Sequence, residues 1–158
     1  MRVPATRPEG FDWLNGPLVW AIDDWHQPMY YFPRDCPRIL LWPTPDTTEA
    51  DRSRFFGTSQ ARMLAFIEAC WLPTLESAEI HRYEFGPDDF VALDDAGMWV
   101  SRSSVEPLAC TRLSNLPRLL RTSEVELRAM AELTPLRDVW STSLHASGIR
   151  LRNARGWT

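Results

Sequence analysis

Short apolar runs separated by turn-forming residues dominate the hydrophobic pattern of the chain. Residues 18–22 and 38–42 are almost continuously apolar and are bounded by Gly, Pro or Asp, which is typical of buried β-strands. Residues 79–85 alternate with period two and predict a strand with one less buried face. Further strands are predicted at residues 62–68, 98–101, 105–110 and 149–152.

The helix signals are short and lie between these runs. Asp46-Thr47-Thr48 before acidic residues, with Gly57 at the other end, predicts a helix of about ten residues. Asp23 or Asp24 is the predicted N-cap of a short helix through Tyr31. Other helical segments are predicted at residues 71–72, stopped by Pro73, and at 116–120 and 134–144, whereas 125–130 fits either type.

Strands interspersed with short helices predict an α+β fold. We expect a single domain over residues 1–158, with a mixed sheet of about five to seven strands and three or four short helices. Residues 1–17 are rich in Pro and Gly and predict an irregular N-terminal lead-in that packs through Phe11, Trp13 and Leu14.

The basic residues exclude several enzyme classes, because all 17 are arginines and the chain has no lysine. P-loop proteins, pyridoxal enzymes and protein kinases each need a functional lysine. A GC-rich genome is the simplest explanation of the bias. Guanidinium groups nevertheless suit bidentate contacts to carboxylate and phosphate.

The charge distribution is uneven. The net charge of −4 argues against general binding to nucleic acid or to acidic membranes. Residues 1–111 hold 9 Arg and 17 acidic residues, a net charge of −8, whereas residues 112–158 hold 8 Arg and 4 acidic residues, a net charge of +4. The arginines of residues 149–155 suggest either an edge that faces a phosphate or a strand whose Arg side chains pair with the acidic middle of the chain.

The three cysteines have neither the number nor the spacing of a disulfide framework or a zinc ribbon, and we expect reduced thiols. The three histidines also lack metal-binding spacings, so neither a metal nor another cofactor is predicted. The N-terminus has no apolar h-region, and no apolar run is long enough to span a bilayer. We therefore expect a cytoplasmic bacterial protein with no membrane partner.

A dense polar cluster follows the first predicted strand, where open sheets commonly expose polar groups to ligands. We hypothesise a pocket for a small anionic or nucleotide-like ligand, with proton transfer or hydrogen bonding, stacking and anion recognition supplied by different side chains. The structural alternative is that the aspartates cap a helix and the arginines form local ion pairs. The candidate ligand-binding residues are Trp20, Asp23, His26, Tyr30, Arg34 and Arg38. His81 faces the same pocket if its strand is central and is otherwise a surface or hydrogen-bonded residue, and Arg102 is a candidate for a second wall.

Residues 57–61 match a relaxed G-x-S-x-A pattern. A nucleophile elbow needs a strand before this pattern and a helix after it, whereas here a helix is predicted before it and a strand after it. Gly57 is therefore interpreted as a helix C-cap, and no catalytic residue is assigned.

The chain resembles a bacterial family of unknown function over nearly its whole length. The resemblance implies no activity, because none is established for that family. The segments that carry it are Pro17-Leu18-Val19-Trp20-Ala21-Ile22-Asp23, His26, Tyr30, Pro33-Arg34-Asp35-Cys36-Pro37-Arg38, Pro45-Asp46-Thr47-Thr48, Arg82-Tyr83-Glu84-Phe85, residues 94–102, Pro135-Leu136-Arg137-Asp138 and Arg150-Leu151-Arg152-Asn153-Ala154.

Members of that family begin with an extra strand of the form aromatic-His-Phe-Ser. That strand, followed by V-W-A, a helix and a further strand, is similar to ADP-ribosyltransferase-like folds, in which a first-strand His and a second-strand aromatic residue hold the nicotinamide nucleotide. The present chain begins Met1-Arg2-Val3-Pro4 and lacks such a strand. Either the native start lies upstream or the function differs, and we expect no NAD-dependent transferase activity from these 158 residues.

A third hypothesis is a non-enzymatic interaction domain, in which exposed tryptophans and the basic C-terminal third form a partner surface. It predicts assembly that depends on protein concentration and a large contiguous apolar patch. The sequence does not decide whether the protein is an enzyme, and it does not give the oligomeric state.

Overall fold

The computed structural model of the protein describes Leu14 and residues 16–157. Most of the predicted lead-in, including the expected packing of Phe11 and Trp13, lies outside the described residues. The chain forms two compact units. Unit 1 contains the described residues up to Gln27 together with His81–Arg112, and unit 2 contains Pro28–Ile80 and the described residues from Leu113 onward.

Nine strands and three α-helices are found among the described residues, joined by turns of 3-10 helix. The strands are β1 (Val19–Ile22), β2 (Arg38–Trp42), β3 (Met63–Glu68), β4 (Ile80–Glu84), β5 (Val91–Ala92), β6 (Met98–Ser101), β7 (Ala109–Leu113), β8 (Val125–Met130) and β9 (His145–Ile149). The helices are α1 (Glu49–Phe56), α2 (Leu72–Ser77) and α3 (Leu116–Thr122).

Unit 1 is built on a small antiparallel sheet with the strand order β1-β6-β5. Trp20 lies opposite Val100 in the β1–β6 pair. Strands β4 and β7 form a separate two-stranded ribbon. The core of unit 1 consists of Leu14, Leu18, Leu93 and Val100, with Trp20 and Met98 packed against it.

Unit 2 is built on a four-stranded mixed sheet with the order β8-β3-β2-β9. Strands β3 and β8 are parallel, and the other two pairs are antiparallel. Every residue of the central strands β2 and β3 is buried, which explains why both read as nearly continuous apolar runs. Residues from both strands pack with α1 and with residues 133–154 in one hydrophobic core.

Helix α1 has the predicted caps at both ends. The Thr48 hydroxyl accepts a hydrogen bond from the Asp51 amide (3.3 Å), which satisfies one of the free N–H groups of the first turn. Gly57 adopts a φ of +56° and donates its amide hydrogen to the Ser53 carbonyl. A glycine tolerates this left-handed conformation without strain.

Two predicted helices are replaced by shorter turns. The segment after β1 forms a turn followed by one turn of 3-10 helix, Gln27–Tyr30, and the Asp23 carboxylate accepts a hydrogen bond from the His26 amide within the first turn. Residues 134–144 were expected to form one helix but contain two 3-10 turns, Thr134–Leu136 and Val139–Ser141. Tertiary packing of Leu133, Leu136 and Val139 into the core overrides the weak local preference.

Three boundaries also differ from the prediction. Pro73 does not stop a helical turn but lies in the first turn of α2, where its missing N–H has no cost. Strand β7 begins after Pro107 and is therefore shifted from the predicted 105–110. Strand β9 is His145–Ile149, so it begins directly after the predicted helix at 134–144 and ends where the last strand was expected to start.

The ambiguous segment at residues 125–130 is a strand that pairs parallel to β3. The α+β class and the mixed sheet are confirmed, with the strands divided among three sheets. The prediction of one domain stays a prediction.

Candidate anion-binding site

Several polar side chains of unit 2 lie at one end of its four-stranded sheet. Strands β3, β8 and β9 run in the same direction and all finish at this end, whereas β2 starts there. We call it the polar end. Arg38 and Glu68 are the two charged residues buried in the described part of the chain, and both are located here.

Arg38 is the first residue of β2 and is only 2% exposed. Its Nε donates to the Met29 carbonyl (2.7 Å) and its Nη1 donates to the Cys36 carbonyl (3.0 Å). The guanidinium carbon also lies 5.6 Å from the ring centre of Tyr30 and 5.0 Å from that of Phe32, within the range of cation–π attraction. No carboxylate of the described residues lies within 4.0 Å of it.

The electrostatics of Arg38 reflect this burial. Desolvation lowers the pKa of Arg38 from 12.5 to about 10, so that the group is still a cation at neutral pH. A shift of this size corresponds to a cost of about 3 kcal/mol for keeping the charge inside the folded protein. Burial also raises the pKa of the Cys36 thiol to about 12, so this neighbour supplies no compensating thiolate.

The turn at residues 34–36 lies against Arg38, and side chains hold three successive carbonyl groups of it. Arg150 Nε donates to the Arg34 carbonyl (3.2 Å), Asn153 Nδ2 to the Asp35 carbonyl (2.7 Å) and Arg38 Nη1 to the Cys36 carbonyl. Residues from β2 and from the segment after β9 therefore fix the shape of this turn together.

Glu68 does not neutralise Arg38. Arg38 lies opposite Ile67 in the β2–β3 pair, so their side chains leave the same face of the sheet and that of the next residue, Glu68, leaves the other face. The Glu68 carboxylate instead accepts a hydrogen bond from the Arg155 amide (2.8 Å). Its role is to hold the chain after β9.

Unit 1 contains a second polar constellation, at the end of β1. The Asp23 carboxylate accepts hydrogen bonds from the His26 amide (2.7 Å) and from Nδ1 of the His26 ring (2.8 Å). The edge of Trp25 packs on the same ring. The Gly97 carbonyl accepts from the Asp23 amide (2.9 Å), and the glycine adopts a φ of +69° directly against the pair.

The other candidate residues are Trp20, His81 and Arg102. Trp20 packs on the core of unit 1, and His81 is exposed on β4. Arg102 lines an open groove of about 380 Å³ with Asp89, Val91, Val100, Ser101 and Ser103. This groove lies at the Ser101 end of β6, whereas the Asp23–His26 pair lies beside its Met98 end.

Within unit 2, Tyr30 and Arg38 are in contact. Both were expected to line one ligand pocket, and that expectation stays a prediction. Arg34 contributes its main-chain carbonyl and keeps an exposed side chain. Sequence analysis did not single out Phe32 or Asn153. Arg150 was noted as part of a basic segment and of the family resemblance but not as a ligand-binding residue, because the β2–β9 pairing that brings it here was not foreseen.

A family model matches residues 2–154, nearly the whole chain, and its description is a family of unknown function, DUF6886. The chain belongs to this family. The resemblance to a family of unknown function is thus confirmed, and membership in DUF6886 carries no activity to the chain. No curated protein and no solved structure matches the sequence.

Two further properties of this DUF6886 chain concern partners. Among residues 16–157, no helix is long and apolar enough to cross a membrane. The described residues also contain no group of three or more His, Cys, Asp and Glu side chains that could hold a metal ion.

Proposed function

We propose that unit 2 binds a small anionic, nucleotide-like ligand at its polar end, with Arg38 as the anchor of the anion. One observation carries this proposal: Arg38 is a buried cation whose hydrogen bonds go to neutral carbonyl groups and not to a carboxylate. An isolated buried charge is costly unless an opposite charge reaches it. A bound anion would supply that charge.

The chemistry of the neighbouring side chains supports the same ligand class. Guanidinium groups recognise phosphate and carboxylate through paired, charge-assisted hydrogen bonds. Tyr30 is 42% exposed although it contacts Arg38, so part of its ring is open to an aromatic base. An anionic group on Arg38 with a base near Tyr30 is the arrangement of a nucleotide.

The competing explanation is that Arg38 only fastens the turn at residues 34–36. That role needs hydrogen-bond donors, and it predicts that removing Arg38 changes stability without changing any binding equilibrium. Ligand affinity therefore separates the two explanations, whereas unfolding experiments alone do not.

Isothermal titration calorimetry with AMP, ribose 5-phosphate and inorganic phosphate tests the proposal. We expect at least one of these to bind the wild-type protein, and Arg38→Met to weaken that binding by about tenfold or more, the loss of a charge-assisted contact. Arg118→Met is the matched control, because it removes an exposed arginine of α3 in the same unit. Its affinity should equal that of the wild type.

Circular dichroism establishes that each variant is folded. If Arg38→Met does not fold, Arg38→Lys keeps the charge but not the paired donors, and it should bind more weakly than the wild type. The proposal is wrong if none of the three compounds binds the wild-type protein, or if the folded Arg38 variant binds with unchanged affinity.

A further inference from the structure

A second arginine, Arg150, approaches the same turn as Arg38. It is the residue directly after β9, and its predecessor Ile149 pairs with Arg38 across the β2–β9 ladder. Arg150 adopts a φ of +58°, a left-handed conformation that residues other than glycine rarely adopt. At this position the chain leaves the strand and its side chain reaches the Arg34 carbonyl.

The two guanidinium groups therefore reach the same turn. Arg38 and Arg150 donate to the carbonyls of Cys36 and Arg34, which are only two residues apart in one turn. Burial is the main cause of the lowered pKa of Arg38, and the positive charge of Arg150 lowers it further, as expected for a nearby like charge.

Little negative charge from the described residues balances this pair. Asp35 lies at the limit of an ion pair with Arg150, at 4.0 Å, and its side chain is 68% exposed, so water screens the interaction. Glu68 leaves the opposite face of the sheet, and the Cys36 thiol is neutral at physiological pH. Two cations thus donate to one turn. The carboxylates near this turn are the exposed Asp35 and the buried Glu68, and Glu68 accepts a hydrogen bond from the Arg155 amide and not from Arg38 or Arg150.

We propose that Arg38 and Arg150 bind one phosphoryl group that carries two negative charges, which makes the ligand a phosphomonoester rather than a carboxylate or a phosphodiester. This inference rests on the proposed function and narrows its ligand class. Two guanidinium forks match the three terminal oxygens of a phosphomonoester, and the two positive charges match its dianion. A phosphodiester offers one charge and two such oxygens.

The test compares methyl phosphate with dimethyl phosphate, which differ in charge but hardly in size. Calorimetry at pH 7.5 on the full chain should show methyl phosphate binding the wild-type protein about tenfold more tightly. Arg150→Gln keeps a donor for the Arg34 carbonyl and removes the charge. It should weaken methyl phosphate binding by about tenfold and leave dimethyl phosphate binding nearly unchanged.

Arg152→Gln is the control, since Arg152 lies two residues further on and is exposed. It should behave as the wild type. A pH series adds a second readout. The affinity of the wild-type protein for methyl phosphate should rise between about pH 5 and pH 7, because the second proton leaves the phosphate near pH 6. In Arg150→Gln this rise in affinity should be smaller. If Arg150→Gln does not fold, Arg150→Lys replaces it as the test variant. This variant keeps the positive charge and should still bind methyl phosphate more tightly than dimethyl phosphate. Equal binding of the two compounds by Arg150→Lys would overturn the inference.

Failure of this inference differs from failure of the proposed function. Equal binding of the two compounds by the wild-type protein, or unchanged methyl phosphate binding in Arg150→Gln, overturns the two-arginine site while Arg38→Met can still abolish anion binding. If no anion binds the wild-type protein, both proposals fall together.

Discussion

Replacement of Gly97 by alanine tests how tightly the Asp23–His26 pair is built into unit 1. A Cβ atom at this glycine would lie 2.5 Å from Oδ2 of Asp23 and closer still to Nδ1 of His26. Both distances are far shorter than any van der Waals contact. The methyl group therefore requires the Asp23 and His26 side chains to leave their present positions.

The expected loss of stability has two parts. An alanine at a φ of +69° costs about 1 kcal/mol, because L-residues other than glycine are strained there. Displacing one partner of the Asp23–His26 hydrogen bond adds about 2 kcal/mol, the usual value for a bond that involves a charged group. We therefore expect Gly97→Ala to lower the free energy of unfolding by about 3 kcal/mol.

The matched control is Gly156→Ala. Gly156 has a similar φ of +63°, but its Cβ would meet its nearest neighbour, Thr134 Cγ2, at an ordinary 3.6 Å. This control should lose only about 1 kcal/mol. In urea denaturation followed by circular dichroism, equal losses in the two variants would refute the reasoning. The stability loss of a Gly97→Ala, His26→Ala double variant should be smaller than the sum of the losses of the two single variants. In the double variant the closest overlap, between the Cβ of residue 97 and Nδ1 of His26, is absent.

Three other predictions follow from the remaining observations. Ellman's reagent should modify the exposed thiols of Cys70 and Cys110 in the native protein. It should reach Cys36 only in denaturant, because that thiol is fully buried and its pKa is raised to about 12. Fast reaction of all three thiols in the native protein would contradict this prediction. Hydrogen bonds from Ser143 hold the pKa of Asp51 below its usual 3.8, so this carboxylate contributes stability above about pH 4 that is lost as the pH falls through the lowered value. Ser143→Ala should therefore unfold more easily than the wild type at pH 7 and lose less stability on acidification. Parallel pH profiles of stability for the two proteins would count against this prediction. Incubation with NAD followed by NMR should show no release of nicotinamide by the 158-residue chain, and turnover would disprove that expectation.

The sequence predicted the central strands of unit 2 well, and the reason is physical. The apolar residues of β2 and β3 are bounded by Pro or polar residues and are buried on both faces, so their pattern is local and strong. Residues 134–144 have no such pattern of their own. Their conformation is set by contacts with distant core residues, which a local interpretation does not contain.

The candidate site was predicted in part for a similar reason. Tyr30 and Arg38 are close in sequence, so their contact does not depend on the pairing of distant strands. The approach of Arg150 depends on the β2–β9 register, and the fit of Gly97 against His26 depends on the β1–β6 register. Single-sequence patterns indicate strands but do not give their pairing.

The place of β2 in the sheet also has a consequence for synthesis on the ribosome. One edge of β2 pairs with β3 soon after it is made, but the other pairs with β9, more than 100 residues later in the chain. Until β9 emerges, a strand that is apolar from Ile39 to Trp42 presents open N–H and C=O groups to other chains and to other parts of the same chain. The nascent protein should therefore depend more than its small size suggests on chaperones that cover β2, or on rapid release of the finished chain from the ribosome.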